Sequence, residues 1–132
     1  MKKKVVFIVT LFATISFATS QHSLSFEKCL EGKWRDAEMA ACTYEETKLE
    51  DKRLNQAYKK AMQTIKKDKR DELKEVQRAW IKYRDLNCNF NSYITGGTMD
   101  QLFVAECFLS MTKERANELE FIAEISNGDL ED

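Results

Sequence analysis

The chain has 132 residues, 43% hydrophobic and 33% charged, with no proline and four glycines, a composition suited to one soluble, helix-rich domain. Once residues 1–20 are set aside as a leader, three lysines and no acids are lost, leaving 18 basic against 22 acidic side chains and a net charge of -4. That balance excludes the basic footprint nucleic acid requires and permits attraction to a basic protein partner.

The leader is read from Met1-Lys-Lys-Lys4, a basic start, followed by an apolar core from Val5 to Ala18. A small-residue cleavage site follows Ala18 or Ser20, so residues 1–20 are expected to be a signal peptide and 21–132 a single exported domain. The alternative is an uncleaved anchor, but a membrane span needs about 20 apolar residues and this core is shorter. No cysteine directly follows the cleavage site, so no lipid attachment is expected, and no membrane contact once the leader is cleaved.

Residues 21–35 form a lead-in with a short helical turn expected at 25–31, ended by Gly32. From Asp36, a candidate N-cap, to about Lys67 nothing breaks a helix. Leu54, Ala57, Tyr58, Ala61, Met62 and Ile65 follow helical spacing, although Thr43-Tyr-Glu-Glu46 reads as a capping box that could restart the helix. The charged run Lys66 to Asp71 is expected to be a tight connection, with Asp68 capping a second helix from about Lys69 to Asn91. Tyr93-Ile-Thr-Gly-Gly-Thr98 is a clear breaker. Thr98-Met-Asp-Gln101 reads as a capping box for a third helix to about Ile125, and the acidic tail after it as loose. The expected fold is all-α: an antiparallel three-helix bundle with a short lead-in.

Polar residues interrupt the apolar stripe of the second helix, which carries Leu73, Val76, Trp80 and Leu86 but also Gln77 and Arg84. A polar group on a core face needs a partner, because burying it alone costs about 1–3 kcal/mol. If the first two helices form a hairpin, levels pair Tyr58 with Gln77, Asn55 with Trp80, and Asp51 with Arg84, each a chemically sensible pair. A second hairpin sets Trp80 opposite Arg115, Leu73 opposite Ile122, and Cys88 opposite Cys107. A Cys88–Cys107 disulfide is therefore favoured, and Cys29–Cys42 by elimination, since four cysteines in an exported domain read as two bridges. Metal binding is disfavoured: there is no C-x-x-C spacing, and His22 is the one histidine.

Asp51, Asn55, Tyr58, Gln77, Trp80, Arg84 and Arg115 thus read as a structural polar ladder. Without a histidine among them, a free thiol, an acidic pair at metal spacing or a phosphate-cradling loop, no catalytic residue, metal or cofactor is expected.

Cys42, Asp51-x-x-Leu54-Asn55-x-x-Tyr58, Leu73-x-x-x-Gln77-x-x-Trp80-Ile81-x-x-Arg84-Asp85-x-x-Cys88, Gly96-Gly97, Cys107 and Arg115-x-x-x-Leu119 make the chain similar to an exported bacterial family. That family is named after the lysozyme inhibitor LprI, and the resemblance spans about residues 29–121. It implies a small, helical, disulfide-containing envelope or secreted domain, and inhibition of a lysozyme. Unlike the lipid-anchored member that gave the family its name, this chain has no lipid-attachment cysteine. Because the motif explains the scaffold, recognition is expected in the loop from Asn89 to Asp100, with Phe90, Tyr93, Ile94, Thr95, Gly96, Gly97 and Asp100 as candidate contacts. Closing the end of the bundle is the other role open to Phe90 and Tyr93. Glu45, Glu46, Glu50 and Asp100 could face a basic lysozyme. The alternative functions are immunity to a different delivered toxin and a structural envelope-stress role with no enzyme target. The oligomeric state is left open.

Overall fold

A computed structural model describes residues 22–128. The expected leader at residues 1–20 and the end of the acidic tail lie outside those residues. Among the described residues four α-helices form: α1 (Leu24–Leu30), α2 (Asp36–Thr64), α3 (Arg70–Phe90) and α4 (Met99–Asn127). Among the described residues there are no strands, and no helix is long and apolar enough to cross a membrane.

Helix α1 is started by Ser23, whose hydroxyl accepts from the Phe26 amide at 3.1 Å, and it is followed by Gly32 at φ +70°. A left-handed residue there suits glycine alone and stops the turn. Helix α2 runs unbroken through the expected restart at Thr43. The Thr43 hydroxyl lies 3.0 Å from both the Met39 carbonyl and a Glu106 carboxylate oxygen of α4, its one proton shared between these acceptors, so it bonds from within the helix instead of capping one. Asp36 is likewise not the N-cap. Arg35 is, and the Asp36 carboxylate accepts from the Thr98 hydroxyl at 2.6 Å. Beyond α2, Ile65 turns extended, and a 3-10 turn at Lys67–Lys69 leads into α3. Asp68 does not cap α3; the N-cap position is Lys69, whose amide bonds the Lys66 carbonyl. Thr98 makes no side-chain cap for α4 either.

The three long helices run up, down and up, as expected, with α1 as the lead-in. Their packing is unequal. Contacts from Asp36 to Thr98, Thr43 to Glu106, and Arg53 to Asn117 and Glu120 advance together along α2 and α4, so these helices lie side by side and parallel. Alanines 57 and 61 of α2 and 116 and 123 of α4 are buried at that seam with Leu54 and Leu119. Small side chains let helix axes approach closely, so this pair forms the centre of the bundle. Helix α3 contributes Leu73 to the same cluster, with Trp80 packed partly against it, and buries only Leu73, Gln77 and Cys88 of its 21 residues. It is a strut against the α2–α4 pair.

Two disulfides fasten the outlying pieces. Cys29–Cys42 holds α1 on α2, beside a small cluster of Phe26, Cys42 and Leu109. Cys88–Cys107 joins α3 to α4, with Cα atoms 5.4 Å apart. A 13-residue and a 19-residue separation make each worth about 3 kcal/mol by loop entropy. Glu46 belongs to the same fastening of α1. It was expected on the acidic surface, yet it is buried, and its carboxylate accepts from the amide and hydroxyl of Ser23.

Candidate functional site

The connection from α3 to α4 is built from a 3-10 turn, Asn91–Tyr93, and a tight loop that Asp100 holds from below. The Asp100 carboxylate accepts from the Thr95 amide at 3.0 Å, the Thr95 hydroxyl at 2.7 Å and the Gly96 amide at 2.8 Å. Burial raises the carboxyl's pKa, but the bonds from Thr95 and Gly96 outweigh it and hold the group below its ordinary value. Asp100 was expected as an exposed contact. It is only 3% exposed and serves as the loop's internal clamp. Gly96 sits at φ +72°, which a side chain would strain, and the Thr95 hydroxyl also accepts from the Gly97 amide.

With the loop backbone bonded inward, its apolar side chains point elsewhere. Phe90, Tyr93, Ile94 and Met99 are all exposed. Phe90 and Tyr93 therefore do not close the end of the bundle. A cavity of about 490 Å³ opens beside them, between Ala37, Ala40, Ala41 and Tyr44 of α2, Asn89 and Ser92 below the loop, and Val104 of α4.

The ladder residues lie elsewhere, along α2 and α3. An open groove of about 510 Å³ separates these helices, lined by Asp51, Asn55, Tyr58, Gln77, Trp80 and Arg84 among others. Arg84 reaches across to Asp51 at 3.8 Å, though it holds Asp85 more tightly at 3.0 Å and lies over the Trp80 ring at 5.1 Å. The other two expected rungs do not form. Asn55 turns back to the Asp51 carbonyl, and the Gln77 side-chain oxygen accepts from Arg115 of α4 at 2.9 Å. Among the described residues, Tyr58 and Trp80 line the groove without the hydrogen bonds expected of them. The physical reason is spacing: α3 leans on α4 through Cys88–Cys107 and Arg115, so its side facing α2 stands open. Arg115 also lies 5.9 Å from the Trp80 ring and bonds Glu118, and its Nη2 is buried with no partner among the described residues.

Sequence reasoning passed over Arg53, which bonds Glu50, Glu120, Asn117 and the Lys113 carbonyl. It rivets α2 to α4. Its place in the sequence, off the apolar stripe and among other charges, gave no signal of that. Among the described residues no His, Cys, Asp and Glu cluster could hold a metal ion and no cysteine is free.

Two comparisons bear on this geometry. A family model described as "Lysozyme inhibitor LprI" matches residues 29–119. An uncharacterized protein of Rhizobium meliloti (strain 1021) is 32% identical over 97 residues, covering 63% of this chain and 70% of that protein. No solved structure matches.

Proposed function

The chain belongs to the lysozyme inhibitor LprI family, and we propose that it is exported to the periplasm or medium and inhibits a lysozyme-type peptidoglycan hydrolase by covering its substrate cleft. The observation that carries this reading is the α3–α4 connection: Phe90 at the end of α3, with Tyr93 and Ile94, stands exposed beside a loop that Asp100 clamps at Thr95 and Gly96. Rigid aromatic anchors lose little conformational entropy on binding and supply the kind of contact that dominates interface energies. Occlusion needs no chemistry, and the loop offers none.

Charge has a smaller part than the sequence suggested. Glu45 pairs with Lys48, Glu50 with Arg53, Glu46 is buried on Ser23, and Asp100 is inside the loop. The net charge of -4 on residues 21–132 remains as a long-range attraction toward a basic enzyme. Salt should then slow capture without abolishing it. The test is lysis of cell walls by lysozymes of several classes with the oxidised protein, at low and moderate salt. Inhibition that persists at moderate salt supports apolar occlusion by the loop; no inhibition of any class refutes the proposed target.

A further inference from the structure

Among the described residues the outer face of α3, continued through the 3-10 turn to Tyr93, has no partner in the fold, and its pattern is regular. Val76, Ala79, Tyr83, Leu86, Phe90 and Tyr93 recur at intervals of three and four, the heptad spacing of a helix–helix seam. Five of them are large and open: Val76 is 52% exposed, Tyr83 59%, Leu86 65%, Phe90 77% and Tyr93 90%. Ala79 is exposed as well. The inward stripe of Leu73, Gln77 and Cys88 is a separate face, buried against the bundle. The outer seam has a definite start, because the next positions back in the same repeat are Glu72 and Lys69, which pair with each other at 2.9 Å.

From this face we propose that the protein forms an antiparallel dimer through α3, the occupant of the seam being a second copy of the chain. Two arguments select a second copy. The first is size order. Val76 and Ala79, the small members, occupy one end of the seam and Phe90 and Tyr93, the large ones, the other. A two-fold axis between Tyr83 and Leu86 sets Val76 against the partner's Tyr93, Ala79 against the partner's Phe90, and Tyr83 against the partner's Leu86. The outer layers then match small with large and the central one sets Tyr83 on the partner's Leu86, and an isologous contact requires this self-complementarity. The second is area. The six side chains expose roughly 700 Å², estimated from the areas such residues bury, whereas apolar patches on monomers seldom exceed about 300–600 Å². Complete burial of both patches would remove roughly 1,400 Å² at most, which reaches the range of about 1,200–2,000 Å² for stable interfaces. Phe90 and Tyr93 belong to both the seam and the exposed loop, so dimer and target would compete for them.

Sedimentation velocity of the oxidised chain, leader removed, tests this across micromolar to millimolar concentration. The expected result is a concentration-dependent rise to twice the monomer mass. Tyr83→Glu and Leu86→Glu, each on the exposed face and outside the loop, should stay monomeric with unchanged helical circular dichroism. A photo-crosslinking residue at position 79 should label the partner's segment 86–93. A monomer at every concentration, a dimer untouched by both substitutions, or labelling confined to segment 76–83 would each overturn the proposal.

Discussion

Loop entropy treats the two disulfides as near equals, and the structure does not. For separations of 13 and 19 residues the entropic values differ by less than about 0.5 kcal/mol, both near 3 kcal/mol. Yet Cys88–Cys107 ties α3, a 21-residue helix with three buried residues, to the bundle centre, while Cys29–Cys42 ties down a seven-residue helix that buries Phe26 alone. Replacing Cys88 and Cys107 by alanine should therefore lower the stability of the whole domain by about 3 kcal/mol, out of a total of about 5–15. For a domain of this size that is a fall in Tm of roughly 10–15 °C. Replacing Cys29 and Cys42 should cost distinctly less in the main transition. Its effect should appear instead as faster amide exchange confined to α1 and the residues before α2. Thermal unfolding followed by circular dichroism, with hydrogen exchange on both variants, measures the contrast. Equal falls in Tm with no localised exchange in the Cys29/Cys42 variant would refute the view that α1 is an appendage.

The remaining expectations are narrower. A double-mutant cycle on Asp51 and Arg84 should give coupling below about 1 kcal/mol, since the pair is 3.8 Å apart and Asp51 is half exposed; a coupling several times larger would restore the ladder as a register device. Arg115→Met should destabilise by about 1–3 kcal/mol in a denaturant titration, because Gln77 is left buried with its acceptor unmet. The Asp100 carboxyl is depressed in the fold, so its clamp contributes fully above the unfolded value of about 3.9 and is lost as pH falls through the lower folded value. Thr95 and Gly96 amide resonances should thus hold steady from neutral pH down to about 4 and move only below it, and Asp100→Asn should show the loosened loop already at neutral pH.

Much of the architecture was legible because helix signals are local. The unbroken run after Asp36, the glycine pair at 96–97 and the apolar spacing of 54–65 each act within a few residues. Register arithmetic carried Cys88–Cys107, since cysteines at one level on inward faces have few other partners, and Cys29–Cys42 followed by elimination. The same arithmetic overreached for Tyr58 with Gln77 and Asn55 with Trp80, because equal level says nothing about distance between axes. That distance is set by the alanines of α2 and α4, whose close approach leaves α3 to one side. Capping was misjudged where a tertiary partner took the residue: Thr98 and Asp36 bond each other, and Thr43 bonds Glu106. Asp100 and Glu46 looked like surface acids because a lone carboxylate in sequence does not reveal the backbone amides that will surround it. Within the expected contact loop, only the fold could separate the outward Phe90, Tyr93 and Ile94 from the inward Asp100.

If a clamped apolar loop covers an enzyme's cleft, its exposed side chains should carry the inhibition. The inhibition constant of the oxidised protein against a lysozyme it inhibits should be measured beside that of Phe90→Ser/Tyr93→Ser/Ile94→Ser. These side chains are exposed, so the variant should keep its melting temperature, while inhibition weakens by at least about 100-fold as two or more anchors are lost. Unchanged inhibition by a folded triple variant would place the contact elsewhere and contradict the account.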